Sequence, residues 1–520
     1  MTLHLPRCES GRSRDAIATH TAVASERLRV GQTVGAVYDR ALATAALISQ
    51  LVMALRTWIC SLMARMKALS KSVSEWPRQR LTLIVLSAAT AIVCTLSVYG
   101  IMSAAQFWRE LPIADQWEAV RNFRSWTTGE LSFSDIIAPH NEHRIPLTRL
   151  AFLTDFIFFQ GRSRFIYPLV LLAHIGLGAA IGLVATRGIR PNEQVFGAAT
   201  GVAFFVAPSQ IENLTRPFNL PWPVCGLFAL GALFWTAHVA KLHTGHPSSR
   251  KQQVLATLGL AVASLVLAVY TLADGLVVAP IVAAMALVLP IGFGARITLT
   301  ITAALSVASY FLGYPFMNAG FYASFQGWDE ILKFVAFIAA FLGAITHGSL
   351  EAAVFRGIIG LVIWATLMFA LFLQLRSKRV DSSTITLVML ATVAVAVGVL
   401  IAFGRAGLGP QQGMQLRYAT WPTLFWVCLA ASGWRLAKGA GHTVPGVITL
   451  GLTGLLLYLS YLPTEAKRLE IKTARIDAIA SELRAGTIVP EHLVEVYPLP
   501  DRIVPLIEFL RAYRVSIFAD

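Results

Sequence analysis

Apolar residues along this chain are gathered into blocks. The blocks lack both the period-two alternation of a half-buried strand and the polar stripe of a helix lying on a soluble core. Crossing the hydrocarbon of a bilayer as a helix takes roughly 20 residues, and most blocks approach that length. They are Leu81–Ala104, Phe165–Thr186, Val195–Pro208, Leu220–Ala240, Val254–Leu272, Leu276–Phe293, Ile297–Gly313, Ile331–Thr346, Gly357–Leu375, Ile385–Phe403, Trp421–Trp434 and Val444–Leu462. The pattern predicts an all-α polytopic transmembrane helical bundle of about 11–12 spans, not a barrel. Leu147–Phe159 is short and carries Arg149 and Asp155, which predicts a helix lying at the interface within the first outer loop. Ala41–Ala64, interrupted by Arg56, reads as a second interfacial amphipathic helix.

Three regions follow. Residues 1–80 form a basic cytoplasmic N-terminal region, with Met1–Arg40 expected to be disordered. Residues 81–462 are the transmembrane domain. Residues 463–520 are a small soluble tail, with helical spacing over Glu465–Arg484 and then Pro490, Pro498, Pro500 and Pro505. Loops rich in Lys and Arg stay inside. That rule keeps the N-terminus inside, puts Ala105–Arg164 outside, and puts Arg187–Gln194 and Lys241–Gln253 inside. Arg376–Arg379 and Arg435–Lys438 should also be inside, yet twelve full crossings put both outside. One segment between Val254 and Thr346 must then be re-entrant or broken, and Ile331–Thr346 is the first choice. The same parity places the tail outside. No internal repeat of useful length is visible.

Composition agrees with the pattern. The 520 residues are 56% hydrophobic and 14% charged, whereas soluble domains run about 45–50% and about 25%. The net charge of +15 comes mostly from cations flanking apolar blocks, without the interleaved aromatics of a nucleic-acid surface. Cys8, Cys60, Cys94, Cys225 and Cys428 are scattered, which supports neither a zinc site nor a disulfide framework.

The polar residues that call for explanation sit in three loops on the predicted outer face. The first holds Asp115 and Glu118, then His140, Asn141, Glu142, His143 and Arg144. A carboxylate in a part-dehydrated cleft can act as general base toward a hydroxyl. His140 and His143 would share a face if helical. No metal set is assigned, a divalent ion being the only cofactor the pattern leaves room for. The ordinary reading is a salt-bridged loop pinning the interfacial helix. The second loop holds Glu212, Asn213 and Arg216, where a plain i,i+4 ion pair is the alternative to a binding role. The third holds Arg405 among Gly404, Gly407 and Gly409, then Arg417 and Tyr418. Arg forks match phosphate oxygens, while interfacial anchoring is the common use of Arg and Tyr. Asp274, beside Gly275, lies at a span end.

These motifs resemble a widespread but uncharacterised bacterial family of polytopic membrane proteins. The residues that carry the likeness are Asp115–Trp117, His140–Arg144, Glu212–Asn213, Gly404–Gly407, Arg417–Tyr418 and Leu510–Phe518, over residues from about 90 to the end. The plan of that family is similar to the GT-C glycosyltransferases, which use sugars carried on polyprenyl phosphate or diphosphate. Those enzymes place a catalytic base in the first outer loop, where Asp115 stands. Many of them have paired acids there; this chain has Asp115 with Glu118 three residues on.

The resemblance implies a bacterial inner-membrane enzyme, with its N-terminus cytoplasmic, moving a sugar from a lipid carrier to a cell-envelope glycan or lipid acceptor. Asp115 would deprotonate the acceptor. Arg405 and Arg417 would hold the carrier phosphate, with Tyr418 beside them in the substrate site. Glu118, His140–Arg144, Glu212 and Asn213 would shape the substrate pocket. The rival is a non-enzymatic lipid-linked glycan transporter or assembly factor. Ionisable residues within spans are few, His174 and Asp274 being the main ones, which disfavours an ion-coupled carrier.

Overall fold

The computed structural model describes residues 78–244, 251–314, 327–346, 348–376, 381–439 and 462–519. The expectations for Met1–Arg40 and Ala41–Ala64 lie outside the described residues, as does Val444–Leu462 apart from its last residue. The chain enters on α1 (Arg78–Ala105). The first loop folds into α2 (Gln116–Thr127), α3 (Phe133–Ile137), the paired strands β1 (Pro139–His140) and β2 (His143–Arg144), and α4 (Pro146–Phe159). Then come α5 (Ile166–Ala185), α6 (Pro191–Phe205), α7 (Ile211–Thr215), α8 (Pro221–Thr244), α9 (Lys251–Val269), α10 (Val278–Val288), α11 (Phe293–Tyr310), α12 (Trp328–Gly343), α13 (Leu350–Arg376), α14 (Ser382–Arg405) and α15 (Thr420–Gly439). The tail holds α16 (Leu462–Arg484), α17 (Pro490–Leu493) and α18 (Val504–Ala512).

The fold is all-α, and every apolar block from Leu81 to Trp434 is helical. Among the described residues, six helices are long and apolar enough to cross a membrane alone: those over 83–105, 166–185, 217–244, 251–269, 350–376 and 382–408. Their outward faces stay apolar, with Leu83, Ile92 and Met102 exposed on α1 and Phe355, Val362 and Phe369 exposed on α13. In water such surfaces would be costly; against lipid they are not. Close helix approach rests on small residues. A Cβ on Gly201 would stand 2.0 Å from the Gly178 carbonyl, and one on Gly357 would stand 1.8 Å from that of Ala339.

The first choice for a broken segment is not broken: helix α12 runs through Trp328–Gly343, about 24 Å at 1.5 Å per residue. The stretch between Val254 and Thr346 does hold a short apolar helix, Ala273–Val288. A further bend, of 46°, falls between α6 and the 208–215 segment, and that pair counts as a seventh candidate span. The cause is local: Pro208 has no N–H to continue the α6 ladder and opens a new turn. The basic stretches do meet at one end. Arg435 donates to the Ala185 carbonyl at 2.6 Å and pairs with Asp381 at 2.6 Å.

The tail is not a separate unit. Ile476, Ile479, Leu483, Leu506, Ile507 and Leu510 pack into one apolar core with Trp117, Phe123, Phe152 and Phe156 of the first loop. Polar contacts fasten the same seam. The Ala114 N–H donates to the Val496 carbonyl at 2.7 Å, and the Ser516 N–H to that of Gln160 at 2.7 Å. Arg109 pairs with Asp477 at 2.6 Å. The predicted interfacial helix, α4, has one face in this core, while Leu150 and Phe158 stay exposed.

Candidate functional site

His140 and His143 lie on a hairpin, not a helix. Pro139 faces Arg144 and His140 faces His143 across the ladder. The turn is Asn141–Glu142, with Asn141 left-handed at φ 50°, a conformation Asn tolerates better than most residues. Cross-strand partners share a face, so the two imidazoles stand together. Among the described residues no group of three or more His, Cys, Asp or Glu is arranged to hold a metal.

Two arginines hold this hairpin down. Arg144 is 6% exposed. Its Nε donates to the Tyr310 carbonyl at 2.8 Å and its Nη1 to that of Ile137 at 2.7 Å, while Nη2 donates to Leu312. Its backbone N–H donates to the Tyr310 hydroxyl at 3.0 Å, and that hydroxyl donates to the Glu142 carbonyl at 3.0 Å. Arg149 donates to the carbonyls of Asp135, Ile136 and Ala138. The expectation that Arg144 binds substrate is therefore corrected: its guanidinium is spent on backbone carbonyls.

The neighbouring residues do converge. Asp115, at the start of α2 with its side chain 54% exposed, lies 3.8 Å from His140 Nε2. The Glu142 carboxylate is 2.6 Å from Arg405 Nη2 and 3.7 Å from His143 Nε2. His143 Nδ1 accepts the Ala273 N–H at 3.4 Å, which leaves the ring proton on Nε2, toward Glu142. Arg417 lies over the Tyr418 ring, 5.1 Å from its centroid, and its charge and that of Arg405 both act on His143. Its Nε is shielded from water and has no partner. So do the first and third loops meet, while Asp274 lies buried beside them, taking the Trp421 indole N–H at 2.8 Å.

Electrostatics follow from burial and from these pairings. Burial pushes the His143 imidazole down to about 4, against the pull of Glu142. Burial also lowers His140, the charges of Asp115 and Glu118 working the other way. Burial would raise Glu142, but His143 and Arg405 together hold it below the ordinary carboxylate range. Burial raises the Tyr418 phenol. The site thus presents neutral imidazoles, an anionic Glu142 and two guanidinium groups.

The remaining expected residues have partners of their own, though the charge of Glu118 reaches His140. Glu118 pairs with Arg121 on its own helix. Glu212 pairs with Arg216 at 2.8 Å, the plain i,i+4 alternative. Asn213 is fully buried. It donates to Thr420 Oγ1 at 3.0 Å and to Gln210 Oε1 at 3.2 Å, and it accepts from Asn219 at 3.0 Å. Both are corrected from substrate contacts to structural ones: the Asn213 network anchors the start of α15, just past Arg417 and Tyr418. The pattern of residues also missed Tyr310 and Trp421, because an aromatic at a span end carries no distinguishing signal. Asp274 was visible as an acid at a span end.

No family model, no curated protein and no solved structure matches this chain.

Proposed function

We propose that the chain is a GT-C-like membrane glycosyltransferase of the bacterial inner membrane. It would move a sugar from a polyprenyl phosphate or diphosphate carrier to a cell-envelope acceptor. The observation that supports this reading is that one hairpin, His140–His143, has an exposed acid, Asp115, on one side and the Arg405 and Arg417 cations on the other. Asp115 takes the proton from the acceptor hydroxyl as the new glycosidic bond forms. The bond from the sugar to the carrier oxygen breaks, and the carrier phosphate leaves with the electron pair. Arg417, whose Nε is unpartnered, and Arg405, once released by Glu142, stabilise that charge.

The test is surface glycan from cells carrying Asp115→Asn or Arg417→Gln, with folding checked on the purified proteins. Loss of the base is expected to slow transfer by about 10²- to 10⁴-fold. Wild-type glycan from folded Asp115→Asn removes the base assignment. Wild-type glycan from both variants, when removal of the whole chain abolishes it, points instead to the non-enzymatic transporter or assembly factor.

A further inference from the structure

We propose a second ligand site, for a phosphate group, at the other end of the bundle, built from Arg187, His238 and Lys241. Helix α14 separates it from the first site: Arg405 ends that helix, while Asp381 at its start pairs with Arg435, which donates to the Arg187 carbonyl. The 24 residues of α14 span about 36 Å.

The geometry begins on α8. Phe234, His238 and Lys241 are four and three residues apart, so they share a face. The His238 ring lies parallel to Phe234, with centroids 6.0 Å apart and planes at 9°. Arg187 reaches across from the α5–α6 turn and lies over the same phenyl ring, 4.7 Å from its centroid. The charges of Arg187 and Lys241 both act on His238. Arg187 and His238 thus gather against Phe234, His238 also against Trp235, and Lys241 follows His238 on the same face of α8.

Arg187 and Lys241 make no ion pair among the described residues. Two acids lie at this end: Glu193, in the first turn of α6, and Asp381. Asp381 pairs with Arg435 at 2.6 Å and caps α14 through the Thr384 N–H at 3.1 Å. Arg435 in turn donates to the carbonyls of Ala185 and Arg187, which fixes the turn that presents Arg187. Meanwhile Arg187 Nη1 and His238 Nδ1 are shielded from water with no hydrogen-bond partner. Leaving such groups unpaired costs free energy, and like charges at close range repel. A phosphate monoester or diester answers both: its oxygens accept from the Arg fork and the imidazole and neutralise the lysine. Flanking cations set topology, but that rule gives no reason for shielded, unpartnered donors.

The full-length protein is reconstituted in phosphatidylcholine nanodiscs. Binding is measured for phosphatidylglycerol, added at rising mole fraction, and separately for inorganic phosphate in the buffer. Variants are Arg187→Gln, Lys241→Gln and Arg190→Gln, the last at an exposed neighbour; thermal melting checks folding. Wild type is expected to bind at least one probe, with affinity falling about tenfold or more in Arg187→Gln and Lys241→Gln and unchanged in Arg190→Gln. Binding of phosphatidylglycerol alone identifies a lipid headgroup, and binding of inorganic phosphate identifies a soluble phosphate; both support the site. If Arg187→Gln fails to fold, the exposed Lys241 decides. The proposal is overturned if neither probe binds wild type, or if Lys241→Gln binds as wild type does, or if Arg190→Gln loses as much.

Discussion

Replacing Arg144 with Met tests whether this residue is a clamp or a ligand-binding group. Methionine keeps much of the aliphatic stem and removes the fork. Three charge-assisted hydrogen bonds go with it, to the carbonyls of Tyr310, Ile137 and Leu312. Each such bond contributes about 1.5–3 kcal/mol. The three share one side chain, so they do not add in full, and the partly buried carbonyls of Ile137 and Leu312 regain some water. The expected loss is therefore about 3–5 kcal/mol. Arg144→Lys should recover only part of it, because one ammonium cannot aim at three carbonyls on two segments. Equilibrium unfolding of the purified protein in mild detergent, followed by tryptophan fluorescence, gives the number. A stability within about 1 kcal/mol of wild type would refute the clamp, and a stable variant with impaired transfer would return Arg144 to the substrate.

Two further outcomes are expected. The His143 pKa, about 4, lies below the ordinary 6.5, so the unfolded chain binds the extra proton between those values. Stability should be full above pH about 6.5 and fall as the pH drops toward 4, by up to about 3 kcal/mol, and His143→Gln should flatten that slope in melts at pH 5 and pH 7.5. On the seam between first loop and tail, Leu510→Ala should cost about 2–5 kcal/mol, whereas Asp477→Ala, which breaks an exposed pair with Arg109, should cost about 0–1 kcal/mol; thermal unfolding ranks the two, and equal losses would contradict the shared core.

The helices of the bundle are legible because a segment apolar on every side has only one way to satisfy its backbone in lipid. Where the reading departs from the structure, the deciding information is non-local. Nothing near Arg144 distinguishes a guanidinium aimed at phosphate from one aimed at carbonyls; Tyr310 and Leu312, well over a hundred residues on, decide it. The spacing of His140 and His143 suits a helix face, but flanking Pro139 and Pro146 together with left-handed Asn141 favour a hairpin. The bend after α6 has a local cause, Pro208, whereas charge parity depends on the count of spans and points only to a stretch of chain, the one that holds the short helix Ala273–Val288. Two of the three polar loops came together as the residue types suggested, and the Glu212–Arg216 loop resolved to its simplest reading.

The shared core of loop and tail bears on the site itself. Asp115 follows Ala114, whose left-handed backbone at φ 51° is strained for a residue with a side chain. The Ala114 N–H is held by the Val496 carbonyl, so the orientation of the acid depends on residues near the C-terminus. Arg405 and Arg417 are positioned differently. Arg405 ends α14 within the bundle, and the turn bearing Arg417 is fastened by Gln210 and Asn213 to Ala419, Thr420 and Thr423. The acid thus belongs to the loop–tail unit and the cations to the spans. The hairpin joins them, through Glu142 to Arg405 and through Arg144 to the end of α11. The two halves also share apolar packing, since Ile166, Val170 and Ala173 of α5 and Leu220 belong to the loop–tail core. The Glu142–Arg405 pair is the one among the hairpin's contacts that an incoming anion can replace, since it exchanges one acceptor for another on the same guanidinium.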